Sequence, residues 1–129
     1  MNKMMILFVS FILMVTSGCT SGNGIARKNY GIENPSAYKV LQSKPDADIF
    51  MYKGTVYCSG IDWVNELNLT KDVQITKISQ NNKDGLHFED GTANHLSIGT
   101  RIYSVKERGD ILIAETEKGD VRYYHLVEG

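Results

Sequence analysis

This sequence has little that could cross-link the chain or neutralise a polyanion. Only 2 of its 129 residues are cysteine, so a scaffold held together by several disulfides is excluded. Its 14 basic and 15 acidic residues nearly balance, giving a formal net charge of −1, and no run of Lys or Arg concentrates positive charge. Nucleic acids and anionic membrane surfaces are recognised through such basic runs, so we expect neither kind of partner.

Residues for catalysis or metal binding are also scarce. The three histidines, His87, His95 and His125, have no metal-ligand spacing and fall in different predicted elements. Cys58 and a distant histidine are the minimum that an active site with a thiol nucleophile requires. The position of Cys58 in a predicted strand, however, favours a buried, inert thiol. We therefore expect no metal site, no cofactor and no catalytic residue.

An apolar stretch near the start of the sequence is too short to cross a membrane. It runs from Met4 to Val15, is broken only by Ser10, and follows one basic residue, Lys3. At about 1.5 Å per helical residue, the stretch falls well short of the roughly 30 Å of a hydrocarbon layer. A short apolar core behind a positive charge is typical of a signal peptide, which we predict over residues 1–18.

Small residues lead directly from that core to a cysteine. Ser17, Gly18 and Cys19 resemble the lipobox of bacterial lipoproteins. The resemblance implies cleavage ahead of Cys19, a diacylglyceryl group on its sulfur with acyl chains such as palmitate, and a lipid anchor on the extracytoplasmic face of the cell membrane. Thr16 stands where the lipobox usually has Leu, so two alternatives stay open: an ordinary cleaved signal with an incidental cysteine, or an uncleaved anchor.

Composition divides the remaining chain into a tether and a domain. Residues 19–35 are rich in Gly and Asn and poor in large apolar residues, which predicts a flexible tether. Residues 36–129 are long enough to bury a core of their own, so we predict one extracytoplasmic domain there. With Cys19 lipidated, Cys58 has no disulfide partner, and the core must be stable without a disulfide.

Short apolar runs separated by turn residues indicate the fold of this domain. Asn34 or Ser36 could cap a short helix that ends before Pro45, and Ser59 with Asp62 could form the capping box of a second one. Strands are predicted over residues 48–52, 55–59, 73–78, 86–89, 100–105, 111–116 and 121–127. We predict a mainly β fold, in which a small antiparallel meander sheet closes into a partial barrel or a two-layer β fold with one or two short helices.

Aromatic residues offer the clearest candidate for a binding surface. Trp63 and the seven tyrosines could form a platform for sugars or peptides, although strands also favour aromatic residues for packing alone. Arg108-Gly109-Asp110 matches the integrin-binding tripeptide, but a turn between two strong strands accounts for the same residues. The sequence thus allows a binding surface without identifying its ligand.

Five stretches, Ala47–Phe50, Val56–Tyr57, Trp63–Thr70, Gly99–Tyr103 and Glu128–Gly129, are similar to motifs in small lipoproteins of Gram-positive bacteria. The resemblance covers most of the predicted domain and implies a cell-surface location, but it implies no particular activity. We predict a lipid-anchored binding module whose partner is an envelope protein, a peptide or a cell-wall component. The alternatives are an immunity or exclusion lipoprotein and a small envelope hydrolase.

Overall fold

The computed structural model describes residues 34–127, which form short strands and two short helices. The helices are α1 (Ala37–Ser43) and α2 (Asp62–Asn65). The strands are β1 (Ile49–Tyr52), β2 (Thr55–Cys58), β3 (Lys71–Lys77), β4 (Gln80–Asn81), β5 (Thr92–Ala93), β6 (Arg101–Val105), β7 (Ile111–Thr116) and β8 (Gly119–His125). The mainly β prediction is confirmed. The predicted signal peptide, Cys19 and most of the predicted tether lie outside the described residues.

Within the described residues, the strands form one sheet in the order β3-β6-β7-β8-β2-β1-β5-β4. Neighbouring strands are antiparallel except β4 and β5, which pair in parallel. The sheet curls into a half-barrel, which confirms the predicted partial barrel. Strands β6, β7 and β8 are the predicted C-terminal meander, and its last hairpin pairs Ile111 with Tyr124 and Thr116 with Gly119.

Both faces of the sheet carry buried side chains, because successive residues of a strand point to opposite faces. On one face, Phe50 stacks on Tyr57 with ring centroids 5.4 Å apart and meets Tyr123 edge-on at 5.0 Å. The buried Tyr123 hydroxyl donates to Asp48 Oδ1 at 2.9 Å, so its polar atom is satisfied. The next residue, Tyr124, packs on the opposite face, as the predicted alternation of this strand requires.

Helix α1 covers part of that opposite face. Ser36 begins the helix by accepting a hydrogen bond from the Lys39 backbone N–H at 3.1 Å, which confirms Ser36 as the N-cap. Ala37 and Leu41 are the buried residues of α1, and they pack against a cluster formed by Ala47, Ile49, Val56 and Cys58. No helix among residues 34–127 is both long enough and apolar enough to span a bilayer.

The predicted hairpin between β1 and β2 is also confirmed. Its two turn residues, Lys53 and Gly54, have φ angles of 51° and 76°. Two successive left-handed residues form the tight turn whose twist matches that of the flanking strands. The Gly54 N–H donates to Asp90 Oδ1 at 2.9 Å, which ties the turn to the loop that precedes β5.

One buried amide joins the start of β1 to the segment after β5. Asn94 Oδ1 accepts a hydrogen bond from the Ile49 N–H at 2.8 Å, and its Nδ2 donates to the Ala47 carbonyl oxygen at 2.7 Å. The Asn94 backbone N–H donates to the Ile49 carbonyl oxygen at 3.1 Å. This side chain therefore satisfies two buried backbone groups that no strand partner reaches.

The structure differs from the sequence prediction at residues 86–89 and at Ser59, and it adds the two-residue strands β4 and β5, which were not predicted. Residues 86–89 form no strand, because the side chains of Asn82 and Asp84 accept hydrogen bonds from backbone N–H groups just downstream, and His87 has a φ of 63°. Such local bonds compete with strand pairing. Ser59 does not form the predicted capping box either, since α2 begins after Ile61 without a side-chain cap.

Candidate functional site

A group of aromatic and charged side chains, one exposed and four half-buried, lies where α2 meets the end of β8. We call this group the Trp63 cluster; its members are Trp63, Arg108, Asp110, Tyr124 and His125. Trp63 belongs to α2, the tyrosine and histidine end β8, and the arginine and aspartate lie between β6 and β7. Trp63 remains 44% exposed, although it offers a large apolar area for burial. An exposed indole with ordered neighbours is a candidate contact surface.

Two contacts fix the backbone that carries Trp63. The adjacent Val64 is buried in a cluster with Val105, Ile111 and Ile113. Arg122 of β8 donates from Nη1 to the carbonyl oxygens of Val64 at 2.8 Å and of Leu67 at 2.7 Å. The Val64 carbonyl oxygen also accepts the Leu67 backbone N–H at 3.2 Å, so the guanidinium adds to the bonds that hold the chain just after α2. Arg122 is therefore a positioning residue for Trp63.

The rings of the cluster meet edge to face. The centroids of Trp63 and Tyr124 are 5.1 Å apart with an interplanar angle of 75°, and those of Tyr124 and His125 are 5.3 Å apart at the same angle. In this geometry the positive edge of one ring meets the negative face of the next, and each pair contributes about 0.5–1.5 kcal/mol. The orientation of Trp63 is thus set by its neighbours before any ligand arrives.

A neutral ion pair lies against the indole, with its guanidinium over the ring. Arg108 donates from Nε and Nη2 to the two carboxylate oxygens of Asp110, each at 2.8 Å, and its Cζ lies 5.2 Å from the centroid of the Trp63 ring. The hydrogen bonds from Arg108 hold the pKa of Asp110 below its usual value despite partial burial, and the same bonds raise the pKa of Arg108. Both groups are charged at neutral pH, and their charges cancel.

Cys58 is the cross-strand partner of Tyr124, and its side chain packs in the buried cluster that α1 covers. It is 7% exposed, and its thiol donates to the Ser59 carbonyl oxygen at 3.4 Å. Burial raises the pKa of the Cys58 thiol, so little thiolate forms at neutral pH. The prediction that Cys58 is buried is confirmed, and this environment disfavours a role as nucleophile.

The three histidines occupy three separate places. His87 lies in the loop before β5, His95 lies in the wall of a cleft, and His125 ends β8 within the Trp63 cluster. Among residues 34–127, no three His, Cys, Asp or Glu side chains are grouped so that they could hold a metal ion. The structure therefore supplies no arrangement on which a metal mechanism could be built from these histidines.

The cleft that contains His95 has a volume of about 520 Å³ and lies between residues 95–100 and residues 115–118. Glu115 in its wall accepts hydrogen bonds from Lys71 Nζ at 3.0 Å and from the Tyr103 hydroxyl at 3.3 Å. The bond from Lys71 lowers the pKa of Glu115. A carboxylate held ionised in this way is poorly suited to act as a general acid. The wall of the cleft combines charged and hydroxyl side chains with the exposed Ile98.

Sequence reasoning identified only part of the Trp63 cluster. It named Trp63 and the tyrosines as a possible platform, but it weighed Arg108-Gly109-Asp110 only as an integrin-binding tripeptide or a turn and did not single out Arg122. Strand alternation was the available signal for Arg122, because it places Arg122 and Tyr124 on the same face of β8. Helix α2 packs on that face through contacts between residues that are distant in sequence, so no local sequence pattern predicts them.

Comparison with known proteins adds no family to this description of the site. No family model matches the chain, and neither a curated protein nor a solved structure shows significant similarity to it.

Proposed function

We propose that this chain is a lipid-anchored binding module that acts on the extracytoplasmic face of the cell membrane and contacts its partner through the Trp63 cluster. The observation that carries the proposal is the 44% exposure of Trp63 on a backbone fixed by Arg122. A rigid, exposed aromatic residue can bury a large area on a partner at a small cost in conformational entropy. The predicted export signal and the resemblance to a lipobox at Cys19 support the location.

The anchor is tested by replacing its acceptor sulfur. Cys19→Ser leaves the apolar core intact but removes the atom that forms the thioether. The wild type should take up labelled fatty acid and partition into the detergent phase, whereas Cys19→Ser should lose the label. Equal labelling and equal partitioning of the two proteins would refute lipid anchoring at Cys19.

The binding surface is tested with purified cell walls from the source bacterium. The full chain, solubilised in detergent, should co-sediment with the walls, and Trp63→Ala should reduce the bound fraction about tenfold. Tyr38→Ala is the matched control, because Tyr38 is also a large aromatic residue exposed on a short helix, at 40%. If both variants sediment like the wild type, the Trp63 cluster is not the contact surface.

A further inference from the structure

Two short turns form the walls of the cleft whose volume is about 520 Å³. In the first turn, the backbone N–H and the hydroxyl of Thr100 both donate to the Ser97 carbonyl oxygen, at 3.1 and 2.7 Å. In the second turn, which joins β7 to β8, the Lys118 backbone N–H donates to Thr116 Oγ1 at 3.1 Å, and the Thr116 hydroxyl donates to the Gly119 carbonyl oxygen at 2.7 Å. These bonds order both walls before a ligand binds, which lowers the entropic cost of binding.

The cleft combines a suitable volume with an exposed apolar side chain. Its volume lies within the range of roughly 300–1,000 Å³ that is typical of small-molecule sites. Ile98 of the first turn lines the cleft and is 61% exposed, the highest value among the large apolar residues of the described chain. Leu96, just before this turn, is buried in the core, and its carbonyl oxygen accepts a hydrogen bond from Asn81 Nδ2 at 2.7 Å. A ligand with an apolar side chain can therefore cover part of Ile98 on a wall that is already fixed.

Groups of both charges line the cleft, and two of them are free to pair with a ligand. The carboxylate of Glu115 is already engaged, because it pairs with Lys71 at 3.0 Å and lies 3.9 Å from Arg101. Glu117 and Lys118 of the second turn are exposed, and neither forms an ion pair within the described part of the chain. The cleft thus offers one carboxylate and one ammonium group on adjacent residues.

These charges favour a ligand that carries a cation and an anion together. A ligand with only an anionic group would be attracted by Lys118 but repelled by Glu117, and a ligand with only a cationic group would meet the opposite pair of forces. A short peptide with free ends is zwitterionic at neutral pH, and its side chains supply an apolar contact for Ile98. A single amino acid has the same charges but would leave much of the cleft to water.

We propose that this cleft binds a short zwitterionic peptide. The carboxylate of the peptide pairs with Lys118, its ammonium group pairs with Glu117, and one of its apolar side chains packs on Ile98. The cleft lies at the turn that precedes β8, whereas the Trp63 cluster includes His125, the last residue of that strand. The inference therefore concerns a second site and goes beyond the function proposed for the Trp63 cluster.

The test is an NMR titration of the ¹⁵N-labelled full chain in a nonionic detergent, with trialanine as the probe. N-acetyl-trialanine amide is the matched control ligand, because it has the same backbone and side chains but neither charge. We expect trialanine to cause saturable shift changes at residues 95–100 and 115–118, and the capped peptide to bind at least about threefold more weakly. Raising the salt concentration from about 50 to 500 mM should weaken the binding of trialanine, because salt screens exposed charges.

Variants of the two turns identify the side chains that hold the peptide. Lys118→Met and Glu117→Gln should each weaken the binding of trialanine about two- to fivefold, because each removes one exposed ion pair. Ile98→Ser should weaken the binding of both peptides by a similar factor, because it removes the apolar contact. Lys39→Met removes an exposed lysine of α1 that does not line the cleft, and it should bind like the wild type. Circular dichroism of each variant identifies any loss of folding.

Three results would overturn the inference. Trialanine might cause no saturable shift changes in the two turns, the capped peptide might bind as tightly as trialanine, or Lys39→Met might weaken binding as much as Lys118→Met. Trp63→Ala separates the two sites: it should leave the binding of trialanine unchanged, and an effect equal to that of Lys118→Met would also contradict the inference. Cell walls that bind without Trp63 would overturn the proposed contact surface but leave the peptide site intact.

Discussion

Replacing Arg122 tests whether the site is built by a contact that is distant in sequence. Arg122→Met keeps the apolar part of the side chain but removes the hydrogen bonds to the carbonyl oxygens of Val64 and Leu67, at 2.8 and 2.7 Å. Hydrogen bonds from charged groups contribute about 1.5–3 kcal/mol each. Both bonds here come from one nitrogen of a half-buried residue, and water can reach the carbonyls once the guanidinium is gone. We expect the free energy of unfolding to fall by about 1–3 kcal/mol in total.

Two measurements check this expectation. Urea unfolding followed by circular dichroism gives the change in free energy, and for a domain of this size each kcal/mol corresponds to about 4–8 °C in Tm. Acrylamide quenching of Trp63 in the folded protein reports on the site itself. Without Arg122, the carboxyl end of α2 is less constrained, so Trp63 should be quenched more efficiently and its emission should shift to longer wavelength.

Arg101→Met is the matched control for this change. It removes the same charge from a side chain that is 62% exposed and reaches Glu115 only at 3.9 Å. We expect the free energy of unfolding to change by less than about 0.5 kcal/mol and the quenching of Trp63 to be unaltered. Equal stability and equal quenching in the Arg122 and Arg101 variants would refute the positioning role of Arg122.

Three further predictions follow from the same structure. The Cys58 thiol should react with a maleimide much more slowly in the folded protein than in urea, because it is buried and burial raises its pKa. Asn94→Ala should lower the free energy of unfolding by about 2–4 kcal/mol, because it leaves the Ile49 N–H and the Ala47 carbonyl unpaired. The folded-state pKa of Asp110 is lowered, so its stabilisation is complete above about pH 4 and is lost as the pH falls through the folded-state pKa. The difference in stability between wild type and Asp110→Asn should therefore shrink on acidification.

Each of these predictions has a result that contradicts it. Rapid labelling of the folded protein, mapped by mass spectrometry to the Cys58 peptide, would revive the thiol-nucleophile alternative. If Asn94→Ala lowers the free energy of unfolding by less than about 0.5 kcal/mol, water must replace the amide at a site that the structure describes as buried. A stability difference for Asp110→Asn that stays constant from pH 7 to pH 3 would mean that the ion pair with Arg108 does not form in solution.

Local patterns in the sequence predicted most of the strands for physical reasons. The meander of β6, β7 and β8 could be predicted because each strand contains an apolar or alternating run of at least five residues, and a Gly-Asp pair precedes β7 and begins β8. The two-residue strands β4 and β5 could not, because an alternation of period two needs more residues than they contain. Residues 86–89 were assigned to a strand because their apolar residues outweighed the turn-forming side chains of Asn82 and Asp84.

The site was less predictable than the fold because its contacts are long-range. The Arg122 bonds to Val64 and Leu67 join residues 58 and 55 positions apart. Sequence reasoning could name Trp63 as an aromatic residue, but an aromatic residue on a short helix is compatible with burial or exposure. Only the packing of Val64 beneath α2 decides that Trp63 points away from the core.

The rigidity of the Trp63 cluster bears on how a module with one exposed indole could work at a cell surface. Ring contacts and hydrogen bonds order the cluster beforehand, so little conformational entropy is lost when a ligand binds. The contact area of one indole is nevertheless small, and a single site should bind weakly. Under the proposed function, many copies share one membrane, so several sites can bind one partner that presents repeated binding sites. Such multivalency can raise the overall affinity by a factor of about 10² to 10⁴ without any new contact. A weak, ordered site is therefore sufficient for a lipid-anchored module, and it would allow each copy to dissociate independently of the others.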